Sequence, residues 1–246
     1  MNNIKKDLML SKNQIKLITR LKQKKYRLQH GFFVVEGIKT IQELLQSKLT
    51  LQALYTTETF NIDAKDEILI SDAELKRISF LTTPNKALAV FKIPVPKSVN
   101  TSGLIVALDA IRDPGNLGTI IRLCDWFGIT DLVCSKETVD CFNPKVIQAT
   151  MGSITRVNIN YVDLVDFLNE VNLPVFGAFM EGENVYNKQL PKVGVLVMGN
   201  EANGISKEVE AIINEKISIP RFGDIQATES LNVATATAIL LSEFRR

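Results

Sequence analysis

Leu104-Ile-Val-Ala-Leu-Asp-Ala-Ile-Arg-Asp-Pro-Gly-Asn-Leu-Gly-Thr-Ile-Ile-Arg122 carries a continuous apolar run into a polar Pro-Gly turn and then into a helical pattern. An unbroken run such as Leu104–Leu108 suits a strand buried on both faces, which is how strands of parallel sheets read. The turn and the pattern over Asn116–Phe127 make the next element a helix, with Asn116 able to cap it. Downstream the alternation continues. Strands are expected at Asp131–Cys134, Val157–Tyr161, Pro174–Phe179, Val193–Met198 and Ile217–Ile219. Helices are expected at Pro144–Met151, Asp163–Val171, Lys207–Asn214 and Glu229–Phe244. Strands alternating with helices in this way predict a parallel sheet covered by helices.

Upstream, Pro94-Val-Pro-Lys-Ser-Val-Asn-Thr-Ser-Gly103 has no hydrophobic period and reads as a linker. It separates a smaller α/β unit, residues 1–97, from a larger one, residues 103–246. In the smaller unit a helix is expected over 11–29 with Ser11 as N-cap. A strand follows at Phe32–Val35, a helix at Thr40–Gln46, a strand at Leu51–Thr56, a Ser71-capped helix to Phe80, and a strand at Ala87–Ile93. The 246 residues suffice for two such units.

The net charge of +2 conceals a division. Residues 1–97 hold 17 Lys and Arg against 9 Asp and Glu, whereas the rest of the chain holds 12 against 18. Within the first thirty residues nine cations face Asp7 alone. A run of charge is usually a solvated helix face, but so one-sided a run points to a polyanion such as nucleic acid. Lys12, Arg20, Lys22, Lys24, Lys25 and Arg27 are the candidate RNA contacts. The 3 cysteines, Cys124, Cys134 and Cys141, lack CxxC spacing and suggest neither disulfides nor a zinc site, and His30 alone cannot build a metal centre. No metal is expected. The start MNNIKKDLML lacks the apolar stretch of a signal peptide, and the longest apolar run, near Val233–Leu241, is too short to span a bilayer. A cytoplasmic protein with no membrane contact is expected.

Ligands of parallel sheets bind beyond the carboxyl ends of the strands. Three such ends carry unusual residues: Asn116 to Arg122; Val197-Met-Gly-Asn-Glu-Ala-Asn-Gly-Ile-Ser206; and Ile217-Ser-Ile-Pro-Arg221 followed by Glu229-Ser-Leu-Asn-Val-Ala234. Each has a plain structural explanation as a capped turn, with Ser206 and Ser230 as caps. Glu201 between amide residues, and Asn232 inside a first turn, exceed what capping requires. Dinucleotide GxGxxG and phosphate-binding GxxxxGK[ST] patterns are absent, and one histidine makes a nucleophilic triad unattractive.

Together the three segments resemble the motifs of the SpoU (TrmH) family of RNA 2′-O-ribose methyltransferases, within the SPOUT superfamily. Asn116-x-Gly118-x-x-x-Arg122 resembles the first motif. Leu196–Ser206 resembles the second, and Ile219-Pro220 with Glu229–Val233 the third. Asn143-Pro-Lys-Val-Ile-Gln-Ala-Thr-Met-Gly152 is similar to the segment that connects them. Leu21-Lys-x-Lys-Lys-Tyr-Arg27 with Phe33-Val-Val-Glu-Gly37 resembles the accessory substrate-binding domain. The resemblance implies a SPOUT-type parallel sheet with a C-terminal trefoil knot, which is an exception to the rule that chains do not thread loops, and a homodimer. It also implies S-adenosylmethionine as cofactor, held near Met198, Gly199, Asn200, Gly204, Ile219, Ser230 and Leu231. Arg122, Asn116, Glu201, Ser230 and Asn232 become the catalytic candidates. Ribosomal RNA is the expected substrate. A transfer RNA ribose methylase and a non-catalytic RNA-binding protein remain the alternatives.

Overall fold

The computed structural model describes residues 10–59, 67–223 and 230–246. Lys5, Lys6, Asp7 and Glu229 lie outside the described residues. Two compact units are present, and their division is not a single cut at the linker. The first comprises residues 1–95 together with 140–155; the second comprises 96–139 and 156–246. A segment expected to belong wholly to the larger unit is thus built into the smaller one.

The first unit contains α1 (Lys12–Arg20), α2 (Lys24–His30), β1 (Phe32–Glu36), α3 (Ile38–Leu45), β2 (Leu51–Thr56), β3 (Glu67–Leu69), α4 (Asp72–Ile78) and β4 (Ala87–Lys92). Its sheet runs β1-β4-β2-β3, antiparallel except for the β2–β3 pair. Ile18, Leu21, Val34, Leu75, Ile78 and Leu88 meet in its core. Ser11 caps α1 through a reciprocal box with Gln14, and Ser71 caps α4 through one with Glu74. The single helix expected over 11–29 is two. Leu21 ends α1 and is fully buried, and the Arg27 guanidinium donates from Nη1 to the carbonyls of Leu21 (2.8 Å) and Lys22 (2.9 Å). Those carbonyls lack helical partners, and a buried donor satisfies them. Gly31 then ends α2 in the left-handed region, where glycine is favoured.

Residues 140–155 complete the packing of this unit. Phe142 lies against Phe33, ring centroids 4.8 Å apart, and the helix over Pro144–Thr150 packs on β1. Asp140 accepts from Arg27 at 2.5 and 2.9 Å.

The chain continues through β5 (Leu104–Leu108), α5 (Pro114–Trp126), β6 (Asp131–Ser135), α6 (Pro144–Thr150), β7 (Asn158–Val162), α7 (Leu164–Glu170), β8 (Val175–Asn184), β9 (Gly194–Met198), α8 (Lys207–Glu210), β10 (Glu215–Ser218) and α9 (Val233–Arg245). All of these except α6 lie in the second unit. Its six strands are parallel throughout, in the order β10-β8-β9-β5-β6-β7. Every residue of β5, β6 and β9 is buried, the polar Asp131 and Ser135 at the ends of β6 included. Two helices start elsewhere than expected. Asp113, not Asn116, caps α5, with Pro114 as the first helical residue; Asn232 itself caps α9. Because the strands are parallel, the carboxyl ends of β10, β9 and β5 lie on one side of the sheet.

Candidate active site

At that side, β5 is followed by Asp109 and Ala110, and β9 by Gly199 and Asn200. Asp109 is buried, and its carboxylate accepts from the Ser206 amide at 2.7 Å, closing the loop that follows β9 onto the end of β5. Asn200 joins the same two ends. Its Nδ2 donates to the Ala110 carbonyl (2.6 Å), and its Oδ1 accepts from the amides of Ala202 (3.0 Å) and Asn203 (3.1 Å). Its backbone also exchanges a pair of 2.9 Å hydrogen bonds with Gly204. Ala110 has φ of 57°, a left-handed conformation costly for alanine, and the Ser135 hydroxyl accepts from its amide at 3.0 Å. Gly199 admits the close passage of this loop. A Cβ there would stand 2.4 Å from Gly204 and from Ile205.

Glu201 sits on the loop so pinned. Its Oε1 accepts from Asn116 Nδ2 at 2.9 Å, and Asn116 Oδ1 accepts from Asn232 Nδ2 at 2.9 Å. Asn232 Oδ1 in turn accepts from the amides of Ala234 and Thr235. Asn116 can make this link because Asp113 does the capping. Asp113 Oδ1 accepts from the Asn116 amide (2.8 Å), which leaves the Asn116 side chain free. One residue from each motif segment therefore joins a single hydrogen-bonded chain, Asn232 to Asn116 to Glu201, with every amide oriented by its partners.

Beside this chain opens a cavity of about 780 Å³. Met198, Gly199, Asn200, Gly204, Ile219, Ser230 and Leu231 all line it, as does Glu201. Ile217, Val233 and Leu240 supply further apolar wall, and Glu181, Glu210, Lys216 and Arg221 its polar reaches. Ala236 and Leu240 of α9 were not singled out in the sequence, where they read as ordinary core. Asp109 and Asp113 were missed too, although Asp-Pro before a helical pattern is a readable cap signature.

Arg122 is placed differently. It follows Asn116 on α5, is exposed, and does not line the cavity of its own chain. Among the described residues no hydrogen bond or ion pair ties it to the Asn116–Glu201 chain. Cys124 on the same helix is fully buried. That burial, with the charge of Asp125 beside it, pushes its thiol up to about 12, so it offers no nucleophile. Among the described residues no group of three or more His, Cys, Asp or Glu side chains could hold a metal ion, and no helix is long and apolar enough to cross a membrane.

The candidate RNA contacts also divide. Lys12, Arg20, Lys22, Lys24 and Lys25 are exposed. Arg27 is 2% exposed and spends its guanidinium on Asp140 and two carbonyls, so it is a structural residue and not an RNA contact. Charge alone placed it with the lysines. The planar fork that can satisfy a carboxylate and carbonyls together is what sets it apart.

Residues 103–242 match the model of the SpoU rRNA Methylase family, which is more than half of the chain, and residues 12–89 match the MRM3-like substrate binding domain. The chain belongs to the SpoU rRNA methylase family. Within it, the chain is 30% identical to the 23S rRNA (guanosine(2553)-2′-O)-methyltransferase RlmP of Bacillus subtilis, over 98% of this chain and 99% of that protein. A solved TrmH-family protein from Porphyromonas gingivalis is 40% identical and superposes with a TM-score of 0.88, covering 97% of this chain and 99% of the other. The AdoMet-bound rRNA methyltransferase of Sinorhizobium meliloti is 29% identical with a TM-score of 0.85, covering 96% and 95%.

Proposed function

We propose that this SpoU-family chain transfers a methyl group from S-adenosylmethionine to a ribose 2′-hydroxyl of ribosomal RNA, in the cytoplasm. The observation that carries the reading is the Asn232–Asn116–Glu201 chain, which ties the first motif segment to the rim of a cavity lined by the second and third.

The cavity suits the cofactor. A nucleoside bearing a cationic amino-acid chain needs an apolar slot, and Met198, Ile217, Ile219, Leu231 and Val233 form one. It also needs polar partners, which Asn200, Glu201, Ser230 and the backbone of 198–204 offer. When bound, the cofactor supplies an electrophilic methyl on a sulfonium. The chain's own residues must then position and activate the hydroxyl. Asn116 fixes one oxygen of Glu201, leaving the other to accept from a ribose hydroxyl, and Ser230 adds a second polar contact. Holding the acceptor in line supplies much of the rate. Arg122 stabilises the alkoxide that develops on the 2′-oxygen. A guanidinium is a poor base but a strong charge-assisted donor.

The protein works as a homodimer in this reading. Arg122 and Trp126, four apart, share a face of α5, and Trp126 is 84% exposed. A partner covering that face would bury the indole and bring Arg122 to a reacting centre. The threading of the chain into a trefoil knot belongs to the same reading, supported by the C-terminal segments 198–205, 216–221 and 230–233 gathered around one cavity.

Methyl incorporation into ribosomal RNA, transfer RNA and the equivalent DNA is the test. Transfer to ribosomal RNA at a mapped 2′-oxygen, with none to DNA, is expected, because DNA lacks the acceptor. Equal labelling of DNA overturns ribose methylation, and labelling of transfer RNA alone overturns the ribosomal substrate.

A further inference from the structure

The first unit carries an aromatic side chain that its own core does not use. Tyr26, on α2, is half-buried, and its hydroxyl makes no hydrogen bond among the described residues. Around its ring are gathered Arg20, with Cζ 4.9 Å from the centroid, Lys25, with Nζ at 4.8 Å, and His30, whose ring lies 6.5 Å away and 21° from parallel. Arg20, Lys25 and His30 are all exposed. Lys12, Lys16 and Arg20 recur at steps of four along α1, so they stand on one face about 6 Å apart along the axis. Among the described residues none of Lys12, Lys16, Arg20, Lys22 and Lys25 has a carboxylate partner. Neither α1 nor α2 has an acid in its first turn, and Lys24 and Lys25 occupy the end of α2 where a helix disfavours cations. Charge placed against the needs of the helix serves something other than the helix.

We propose that Tyr26, with Arg20, Lys25 and His30, forms a stacking platform for an unpaired base of the RNA, and that Lys12 and Lys16 hold the phosphates beside it. This rests on the reading that the chain acts on RNA. Cations without aromatics would serve a duplex equally well. An aromatic ring beside a planar guanidinium and an imidazole serves bases that are splayed from a helix, because bases inside an A-form duplex present no free face. The platform therefore directs the substrate-binding unit to a loop or single-stranded segment of the substrate.

The full chain is titrated against a short single-stranded RNA with one 2-aminopurine, and against the same strand in a duplex. Stacking quenches the probe. Quenching is expected with the single strand and not with the duplex. Tyr26→Phe keeps both quenching and affinity. Tyr26→Ala loses the quenching and binds about tenfold or more weakly with an unchanged salt slope. Lys16→Gln keeps the quenching and flattens the slope by roughly 0.7. Tyr26→Leu, which retains apolar bulk, takes the place of Tyr26→Ala should the latter unfold. If wild-type chain binds and methylates RNA while Tyr26→Ala or Tyr26→Leu quenches and binds as wild type does, the platform is refuted and the methylase reading stands. If the wild-type chain neither binds nor methylates any RNA, both fall together.

Discussion

The cavity rim of the second unit and the basic face of the first hold their polar side chains in opposite ways. At the rim, Asn116, Asn200 and Asn232 have their amides committed at both ends, and Asn200 is 9% exposed. On the basic face, Lys12, Lys16 and Lys25 extend from short helices, and Lys22 from the turn between them, into solvent. Bond-making requires atoms held within fractions of an ångström, and committed hydrogen bonds give that. Gripping a polyanion requires charge within reach of many phosphates, which mobile side chains supply. Arg27 sits within the basic stretch but is fixed in the manner of the rim, so it tests whether the contrast follows position in the sequence or partners in the fold.

Arg27→Ala should show the largest effect, and on stability. It leaves Asp140 without its cation and two carbonyls without donors. Removing one partner of a buried pair costs about 3–5 kcal/mol. Denaturant unfolding measures the loss. RNA binding at temperatures where the variant is folded should keep the wild-type salt slope. A slope flattened by roughly 0.7 with unchanged stability would return Arg27 to the RNA contacts. A chain beginning near Ser102 suffers related damage, since it retains Asp140 and Phe142 but lacks Arg27 and Phe33. The larger unit is for this reason not the clean fragment that the linker suggested.

Arg122→Ala comes next, and on rate. Loss of a donor to developing charge lowers kcat by about 10²–10³-fold, or about 2.7–4 kcal/mol. Cofactor affinity should stay near wild type, because Arg122 does not line the cavity of its own chain. Arg122→Lys should rescue poorly, since an ammonium lacks the planar fork. Single-turnover methyl transfer with parallel cofactor titration separates the two effects. Unchanged turnover would remove Arg122 from the chemistry and leave the rim to act without it.

Asn200→Ala sharpens the account of the rim. It strips donors from the Ala110 carbonyl and acceptors from two loop amides, at about 1–3 kcal/mol of stability. The same change releases Glu201, so kcat should fall while Glu201 itself is intact. Asn200→Asp keeps the acceptor for Ala202 and Asn203 but sets a carboxylate oxygen against the Ala110 carbonyl, and should recover only part. Wild-type kcat in a destabilised Asn200→Ala would show that the loop shape is not what positions Glu201.

What was legible in the sequence followed short-range physics. Leu104–Leu108 and Leu51–Thr56 are strands over the residues expected, because their apolar runs are bounded by turn chemistry. Ser11 and Ser71 cap helices as read. Features that depend on distant partners were not legible. The break between α1 and α2 is held by Arg27 reaching back to two carbonyls. The outer half of β8, Met180–Asn184, is polar and exposed for the most part, and is a strand only because β10 pairs with it after a register shift. β3 is three residues long, too short for any period. At the site, the polar motif residues stood out, yet the link from Asn116 to Glu201 and Asn232 needed the strand order, which brings β5 beside β9. The same order hid Asp109, whose partner Ser206 lies in another motif segment.

The smallest expected effect compares two carboxylates within the first unit. Glu74 accepts from the backbone amides of Ser71 and Leu10, and these bonds, ahead of the Ser71 hydroxyl, hold its pKa below the usual carboxylate range. Glu36 is pushed the other way by burial, which outweighs the bonds it accepts from Ser79 and Phe80. A carboxylate with a depressed folded pKa stabilises the fold above its unfolded pKa and loses that contribution as pH falls through the folded value. A carboxylate with a raised folded pKa contributes fully below its unfolded value and loses that contribution as pH rises through the folded one. Glu74→Gln should therefore remove stability at neutral pH and less of it in acid, whereas Glu36→Gln should be tolerated best at neutral pH, where the buried charge costs most. Ser71→Ala removes the cap at the other end of the same box, for about 0.5–2 kcal/mol. Its penalty should shrink in parallel with that of Glu74→Gln as pH falls, because the two side chains share one reciprocal arrangement. Unfolding midpoints of the three variants from neutral to acid pH provide the comparison. A Glu74→Gln penalty that grows in acid would mean that the hydrogen bonds to Leu10 and Ser71 do not favour the charged form.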